Sequence, residues 1–336
     1  MSAPSDGIVY VATKKDRYLA EAFLSARSAK RLMPGVSITL FTNLIDSGFA
    51  GADCFDQVVP IDTIEAFDRS WSEGQLDRIR CLPHSPYERT LHLDCDTRVR
   101  SADVASAFQL LDRHDVAMVE CNVDNSWCCE HYGRPMFNVG FILYRKSEGV
   151  MRLLQEWSRL TESFFGLARG EGDPELEFLA HIDDPDRRRK LLFMDQLSMV
   201  RLLSPEGGPE GLDCKILDES WNYRGSNAGR PPPPEIRVDH HPLLRTRDFV
   251  RDMVVASVEY QQAGDLDFGL ELLQWIDQEE PGNINVMKML VLCQLQRNER
   301  ADAVLTLDRM LAHFPGYAWA ENARSRIAQM PTADPH

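Results

Sequence analysis

Two carboxylates stand one residue apart directly after an apolar run. Asp94 and Asp96 follow Thr90–Leu93, a segment typical of a buried β-strand. Because alternate side chains of a strand face the same side, two aspartates at this spacing can converge on a hard cation such as Mg²⁺ or Mn²⁺. With 52 acidic residues among 336, acid-x-acid patterns also arise by chance. A solvated strand end is therefore the alternative, and the position after the strand is what favours a metal site.

The elements that must position these carboxylates alternate between strand and helix. We predict strands at Gly7–Thr13, Ser37–Thr42, Gln57–Ile61, Thr90–Leu93, Val116–Val119 and Phe141–Tyr144, with helical patterns interleaved. Alternation of this kind predicts an α/β domain with a mostly parallel sheet, in which ligands lie at the carboxyl ends of strands. Between Thr161 and Lys190 the pattern weakens, and we expect an inserted loop or lid there.

A purely helical region follows. We place the domain boundary so that residues 1–247 form the α/β domain and residues 248–330 a helical module. Within the module Pro281-Gly282 recurs 34 residues later as Pro315-Gly316. A 34-residue helix-turn-helix period resembles the tetratricopeptide repeat, and a plain helical bundle with coincidental spacing is the alternative. Such a module could bind a protein partner or form a dimer.

Composition and charge narrow the function classes. The 37 basic and 52 acidic residues give a net charge of −15, which disfavours nucleic acid as a partner. No apolar run approaches the length of a membrane span and no leader pattern precedes Gly7, so we expect a cytoplasmic protein. The eight cysteines contain no Cys-x-x-Cys pair and no regular spacing, and we expect them to be reduced.

The segment from Arg78 to Thr97, taken whole, resembles the Asp-x-Asp region of GT-A glycosyltransferases. The likeness is greatest to glycosyltransferase family 8 and its bacterial relatives, which have a basic residue, a helix, a Ser-Pro-aromatic turn and then Leu-x-Leu-Asp-x-Asp. The resemblance extends over roughly residues 7 to 247. It implies a Rossmann-like GT-A fold and transfer of a sugar from a nucleotide sugar, UDP-linked, with retention of anomeric configuration. The acceptor, whether glycan, peptide or small molecule, is left open.

The resemblance also implies roles for individual residues. Asp94 and Asp96 would hold Mn²⁺ or Mg²⁺ together with a histidine. Two adjacent histidines, His240 and His241, are candidates; strand alternation directs them to opposite faces, and we slightly prefer His240. The residues implied in donor binding are Tyr10, Thr13, Arg78, Asp94, Cys95, Asn138 and Gly140, and those implied in catalysis are Asp195, Gln196 and Arg78.

Without the family resemblance, the residues at several of these positions allow a structural interpretation instead. Gly140 could mark a bulge in an edge strand, and Asp195 could be a helix N-cap. The segment Trp221–Arg224 is similar to an aromatic-Asn segment of the family, with core packing of the tryptophan as the alternative. The family's Lys-Pro-Trp after the histidine is missing, and Arg245 or Arg247 could bind phosphate instead.

Two rival functions stay open at this point. One is a catalytically inactive glycosyltransferase fold that acts as a protein-binding module through its helical repeats. The other is a nucleotidyltransferase on a related sheet, which the absence of a Gly-rich loop after the first strand disfavours.

Overall fold

The structure is a computed structural model that describes residues 5–47, 50–51, 53–64, 70–121, 126–133, 135–170, 177–204, 211–225, 232–240, 249–262 and 264–330. The chain divides into two compact units, residues 1–242 and residues 243–336.

The first unit contains all the strands found among the described residues. They are β1 (Asp6–Ala12), β2 (Ser37–Thr42), β3 (Gln57–Pro60), β4 (Arg89–Leu93), β5 (Thr97–Val99), β6 (Val116–Glu120), β7 (Phe137–Arg145), β8 (Cys214–Leu217) and β9 (Val238–His240). Its α-helices are α1 (Asp16–Leu32), α2 (Ser70–Cys81), α3 (Ser126–Tyr132), α4 (Glu148–Ala168), α5 (Pro185–Leu192) and α6 (Asp195–Leu203). Short 3-10 helices lie at Leu82–His84, Ala102–Asp112, Glu177–Leu179 and Glu219–Trp221.

Seven strands form the main sheet, in the order β3-β2-β1-β4-β7-β6-β8. All of its pairings are parallel except those of β7, which runs antiparallel to both β4 and β6. The carboxyl ends of six strands therefore share one edge of the sheet, and β7 begins at that same edge. The α/β fold class with a mostly parallel sheet, followed by a helical part, is confirmed.

One helix organises the core on one side of the sheet. In α4 the residues Leu153, Trp157, Phe164 and Phe165 are fully or almost fully buried and belong to the main apolar cluster. Their helical spacing extends the helix through Ala168, and α5 follows at Pro185 with Asp184 as its N-cap. The expectation of a loop throughout residues 161–190 is therefore wrong, because the apolar stripe outweighs the surrounding charges.

A second sheet has only two short strands, and it fixes a distant part of the chain. In it β5 pairs antiparallel with β9, with Thr97 opposite His240 and Val99 opposite Val238. Since β5 begins directly after Asp96, this register brings His240 beside the carboxylates that end β4.

The second unit is all-helical over its described residues. It contains α7 (Phe249–Gln262), α8 (Leu266–Glu279), α9 (Ile284–Gln296), α10 (Arg300–His313) and α11 (Ala318–Ala328). The turns repeat after 34 residues: Gly264 and Asn298 both have positive φ, 84° and 62°, and so do Gly282 and Gly316, 83° and 77°. Glycine and asparagine are the residues that adopt this backbone most readily, which explains their places in the pattern.

Among the described residues, no helix combines the length and the apolar character that crossing a membrane requires.

Candidate active site

Three potential metal ligands converge at the carboxyl end of β4. His240 Nε2 lies 3.2 Å from Asp96 Oδ1 and 3.8 Å from Asp94 Oδ2. One ligand atom from each residue can be chosen so that all three lie within 4.8 Å of one another. Strand β4 delivers Asp94, the turn after it delivers Asp96, and the β5–β9 pairing delivers His240. Two carboxylate oxygens and one imidazole nitrogen form a donor set suited to Mn²⁺ or Mg²⁺.

The other nitrogen of His240 is held by a second residue. Nδ1 lies 2.9 Å from Asn222 Oδ1, and a protonated Nδ1 can donate to that amide oxygen. Nε2 faces Asp94 and Asp96. This arrangement of a ligand histidine held by a second partner is the one that metal sites use.

Gly140 allows the histidine and Asp94 to approach the backbone of β7. A Cβ atom at this position would lie 2.4 Å from His240 Cε1 and 2.7 Å from Asp94 Oδ2. The backbone here is fixed, since Asp94 N donates to Gly140 O at 2.9 Å. The space needed by the ligand cluster therefore exists only because residue 140 has no side chain.

Arg78 joins the carboxylates of two different elements. Its Nη1 donates to Asp94 Oδ1 at 2.5 Å and its Nη2 donates to Asp195. Helices α2 and α6, which carry Arg78 and Asp195, both pack against α4. Trp157 of α4 donates from Nε1 to the carbonyl of Asp195 at 2.9 Å. The helix packing thus fixes one cation between the buried Asp195 and the partly exposed Asp94.

The same arrangement shifts the ionisation of the acids. Burial would raise the pKa of Asp94, but the charge of Arg78 and a contact with His92 overcome it and hold the pKa well below its usual range. The pKa of Asp96 is also lowered, because the hydrogen bond and charge of His240 outweigh the opposing effect of burial. The pKa of Asp195 is raised, chiefly by burial, against the lowering effect of Arg78. Asp94 and Asp96 are therefore charged at neutral pH.

These groups line a cavity of about 500 Å³, a volume typical of small-ligand sites. The residues expected from the sequence that line it are Thr13, Arg78, Asp94, Cys95, Asp96, Asn138, Asp195, Gln196 and His240. Gly140 lies behind Asp94 and His240. Asn138 accepts from Gly140 N through Oδ1 at 3.3 Å, and the Cys95 thiol donates to Val11 O at 3.2 Å.

Tyr10, expected to contact the nucleotide base, does not line the cavity. It is completely buried, and its hydroxyl lies 2.9 Å from Ser25 Oγ of α1. Alternation along β1 is the reason: Val11 and Thr13 face the cavity, and Tyr10 faces the other side. The expected contact is corrected accordingly. His241, Arg245 and Arg247 lie outside the described residues.

Sequence reasoning missed several cavity residues. The first turns of α1 contribute Arg17, Tyr18 and Glu21, and α2 contributes Gln75. No motif marks them, and for the three residues of α1 the signal available was only their position just after β1, at the edge where ligands of α/β sheets bind. Arg224, from the segment similar to the family's aromatic-Asn region, also lines the cavity.

Comparison with known proteins finds similarity in structure alone. No model of a protein family matches the chain, and no curated protein matches it in sequence. A solved structure of the galactosyltransferase LgtC, in complex with donor and acceptor sugar analogues, is 16% identical; the match covers 76% of this chain and 99% of that chain with a TM-score of 0.46. A structure of an active-site mutant of LgtC is 15% identical, with 76% and 99% of the two chains covered and a TM-score of 0.43.

Proposed function

We propose that this protein is a metal-dependent GT-A glycosyltransferase that transfers a sugar from a nucleotide sugar to an acceptor hydroxyl. The observation that carries the proposal is the cluster of Asp94, Asp96 and His240 at the carboxyl end of β4, within a cavity of small-ligand size. UDP as the nucleotide, and retention of anomeric configuration, are proposed from the sequence resemblance.

The residues present fit a divalent cation. Asn222 orients the ring of His240 through Nδ1, and Gly140 leaves the room that the three side chains occupy. Asp94, Asp96 and His240 would hold Mn²⁺ or Mg²⁺. When bound, such a cation neutralises the charge that develops on a diphosphate leaving group.

Two guanidinium groups of the cavity support an anionic substrate. Asp94 and Asp195 are paired with Arg78, and Glu21 is paired with Arg98. Among the residues that the structure describes, Arg17 and Arg224 line the cavity without a carboxylate partner. We propose them as the cations that meet the diphosphate, since guanidinium binds phosphate oxygens in pairs.

We propose that Asp195 and Gln196 lie beside the donor sugar. They begin α6 and line the cavity. In the transfer, the bond between the anomeric carbon and the phosphate oxygen breaks with its electron pair leaving on the diphosphate. The acceptor oxygen bonds to the anomeric carbon, and its proton passes to a phosphate oxygen of the departing diphosphate. Arg78 orients the Asp195 carboxyl through its hydrogen bond, so that a carboxylate there can face the sugar as positive charge develops.

The remaining assignments are proposals of the same kind. We place the catalytic domain at residues 1–247 and a tetratricopeptide-like module at residues 248–330. The 34-residue recurrence of left-handed turns supports the repeat. The module is proposed to bind a protein partner or a second copy, and the protein to act in the cytoplasm.

Thermal unfolding with nucleotides tests the function directly. UDP, GDP, CDP and ADP are each added with Mn²⁺ or with EDTA. A ligand at 100 times its Kd adds about 2.7 kcal/mol, which for a domain of this size raises Tm by roughly 5 to 10 °C. We expect a Mn²⁺-dependent shift with UDP. If no nucleotide shifts Tm, the proposal is wrong and the inactive, partner-binding alternative gains support.

Sugar transfer is tested with the sugar conjugate of the nucleotide that binds. We expect release of the nucleoside diphosphate from its sugar conjugate to require Mn²⁺ or Mg²⁺. Release of pyrophosphate instead would indicate a nucleotidyltransferase. The anomeric configuration of the product, measured by NMR, tests retention separately.

A further inference from the structure

The turn that carries the proposed metal ligands is followed by β5, and β5 packs against a buried polar stripe on α1. Glu21, Ser25 and Ser28 lie four and three residues apart, so they share one face of the helix. Each is at most 2% exposed. Polar groups this deeply buried require partners, and each of the three finds its partner in β5.

The three contacts are made with consecutive residues of β5. Ser25 Oγ lies 2.8 Å from Thr97 Oγ1, and Glu21 forms an ion pair with Arg98. Ser28 Oγ accepts a hydrogen bond from Val99 N at 2.9 Å. Helix α1 therefore fixes every residue of the strand that follows Asp96.

The hydroxyls form a chain with a defined direction. Thr97 Oγ1 donates to the carbonyl oxygen of Asp94 at 2.7 Å. Because each hydroxyl has a single proton, Thr97 Oγ1 must accept from Ser25, and Ser25 Oγ must accept from the Tyr10 hydroxyl at 2.9 Å. The chain thus runs from Tyr10 through Ser25 and Thr97 to the backbone of Asp94.

Arg98 holds the middle of the same turn. Its guanidinium donates to the carbonyl oxygens of Cys95, at 3.4 Å, and Thr97, and its charge is held by Glu21. Both the first peptide of the turn and those that follow are therefore anchored to α1. Since the turn also carries Asp94 and Asp96, its backbone position determines where their carboxylates lie.

We propose that the hydroxyl chain of Tyr10, Ser25 and Thr97 is a positioning device that sets the affinity of the Asp94–Asp96 turn for its divalent cation. The inference rests on the proposed function, because it presupposes that these carboxylates bind metal. It assigns Tyr10 a role in the site that involves no contact with the nucleotide. None of the three hydroxyls touches the ligands' carboxylate or imidazole atoms, so all three act through the backbone.

Calorimetric titration of the full-length protein with Mn²⁺ tests the inference without using activity. Thr97→Val keeps the branched shape and removes the hydroxyl, and Ser25→Ala removes the donor before it. We expect both to weaken Mn²⁺ binding by about tenfold, the usual effect of losing a group that orients a metal ligand. Thr97→Ser keeps a hydroxyl at this position, and we expect its Kd for Mn²⁺ to stay within about threefold of the wild-type value.

Two tyrosine variants separate positioning from stability. Tyr10→Phe removes only the first hydroxyl and leaves the bonds from Ser25 to Thr97 and from Thr97 to Asp94 intact. Tyr87→Phe is the matched control, since its buried hydroxyl lies 2.8 Å from Thr39 Oγ1, apart from the turn. We expect both to lower Tm, but only Tyr10→Phe to weaken Mn²⁺ binding, by about threefold, because Ser25 then lacks the donor that orients its hydroxyl. All titrations are made below the lowest Tm of the series.

The outcomes are distinguishable. If wild type binds Mn²⁺ and both Thr97→Val and Ser25→Ala bind it within twofold, the positioning role is wrong and the proposed function stands. If wild type binds neither Mn²⁺ nor Mg²⁺, the metal site and this inference fail together. If Thr97→Val does not fold, the Ser25→Ala titration decides.

Discussion

A methyl group at position 140 is expected to displace the proposed metal ligands. In Gly140→Ala the new Cβ would lie 2.4 Å from His240 Cε1, 2.7 Å from Asp94 Oδ2 and 2.9 Å from His240 Nδ1. Ordinary contacts at such an atom are 3.4–4 Å, so the neighbours must move. The backbone of β7 is held against β4 here, since Asp94 N donates to Gly140 O and Phe141 pairs with Leu93. A displacement of about 1 Å therefore falls on His240 and Asp94.

The size of the effect follows from that displacement. Inserting a methyl group into a packed interior costs about 1–3 kcal/mol, which lowers Tm by roughly 2 to 12 °C in a domain of this size. Misplacing catalytic groups by about 1 Å can reduce a rate by roughly 100-fold. We therefore expect Gly140→Ala to remain folded at 25 °C and to lose about two orders of magnitude in metal-dependent donor turnover.

The assay compares two alanine substitutions of glycine. Gly35→Ala is the control, because a Cβ at that exposed position meets no atom within 4 Å. Turnover of the nucleotide sugar is measured over a range of Mn²⁺ concentrations, with Tm measured in parallel. If Gly140→Ala retains turnover and Mn²⁺ dependence within twofold of the control, the close approach does not matter and the assigned ligand cluster is refuted.

Three further predictions use the charges of the site. Arg78→Ala leaves the buried Asp195 and the partly exposed Asp94 without their cation, and we expect urea unfolding to show a loss of about 3–5 kcal/mol at pH 7; an unchanged midpoint would contradict this. The folded-state pKa of Asp94 is lowered, so its charge stabilises the fold above its unfolded pKa of about 3.9 and ceases to do so as pH falls further. The stability difference between wild type and Asp94→Asn should thus shrink from pH 7 to pH 3, and a constant difference would refute the assignment. Arg17→Ala and Arg224→Ala should each weaken UDP binding by about three- to tenfold without changing uridine binding, whereas the exposed control Arg113→Ala should change neither.

The sequence predicted the features for which a local residue pattern and its position along the chain indicate the same structure. An apolar run before Asp94 predicts a strand, and polar residues after strands of one sheet meet at the same edge. Asn138 and Asp195 were expected at the site on the family resemblance, and both line the cavity. The choice between His240 and His241 was open, because a strand of three residues has no periodicity to read. Its register against β5 places His240 at the carboxylates.

The sequence did not predict features that depend on which side chains the fold buries. Strand β1 is apolar on both faces, so alternation alone does not indicate which face looks onto the cavity, and Tyr10 was assigned to the wrong one. Glu21, Ser25 and Ser28 would normally be interpreted as solvent-exposed positions of a helix. Their partners lie some 70 residues further along, and only the folded chain brings them together.

The pairing of β5 with β9 also governs when the ligand cluster can exist during synthesis. Asp94 and Asp96 emerge early, but His240 follows 144 residues after Asp96. Closing so long a loop is entropically unfavourable until the intervening elements have packed. A nascent or truncated chain that ends before β9 therefore presents two carboxylates without their imidazole. We therefore expect the three-ligand cluster to form late in the folding of the first unit, when β9 pairs with β5.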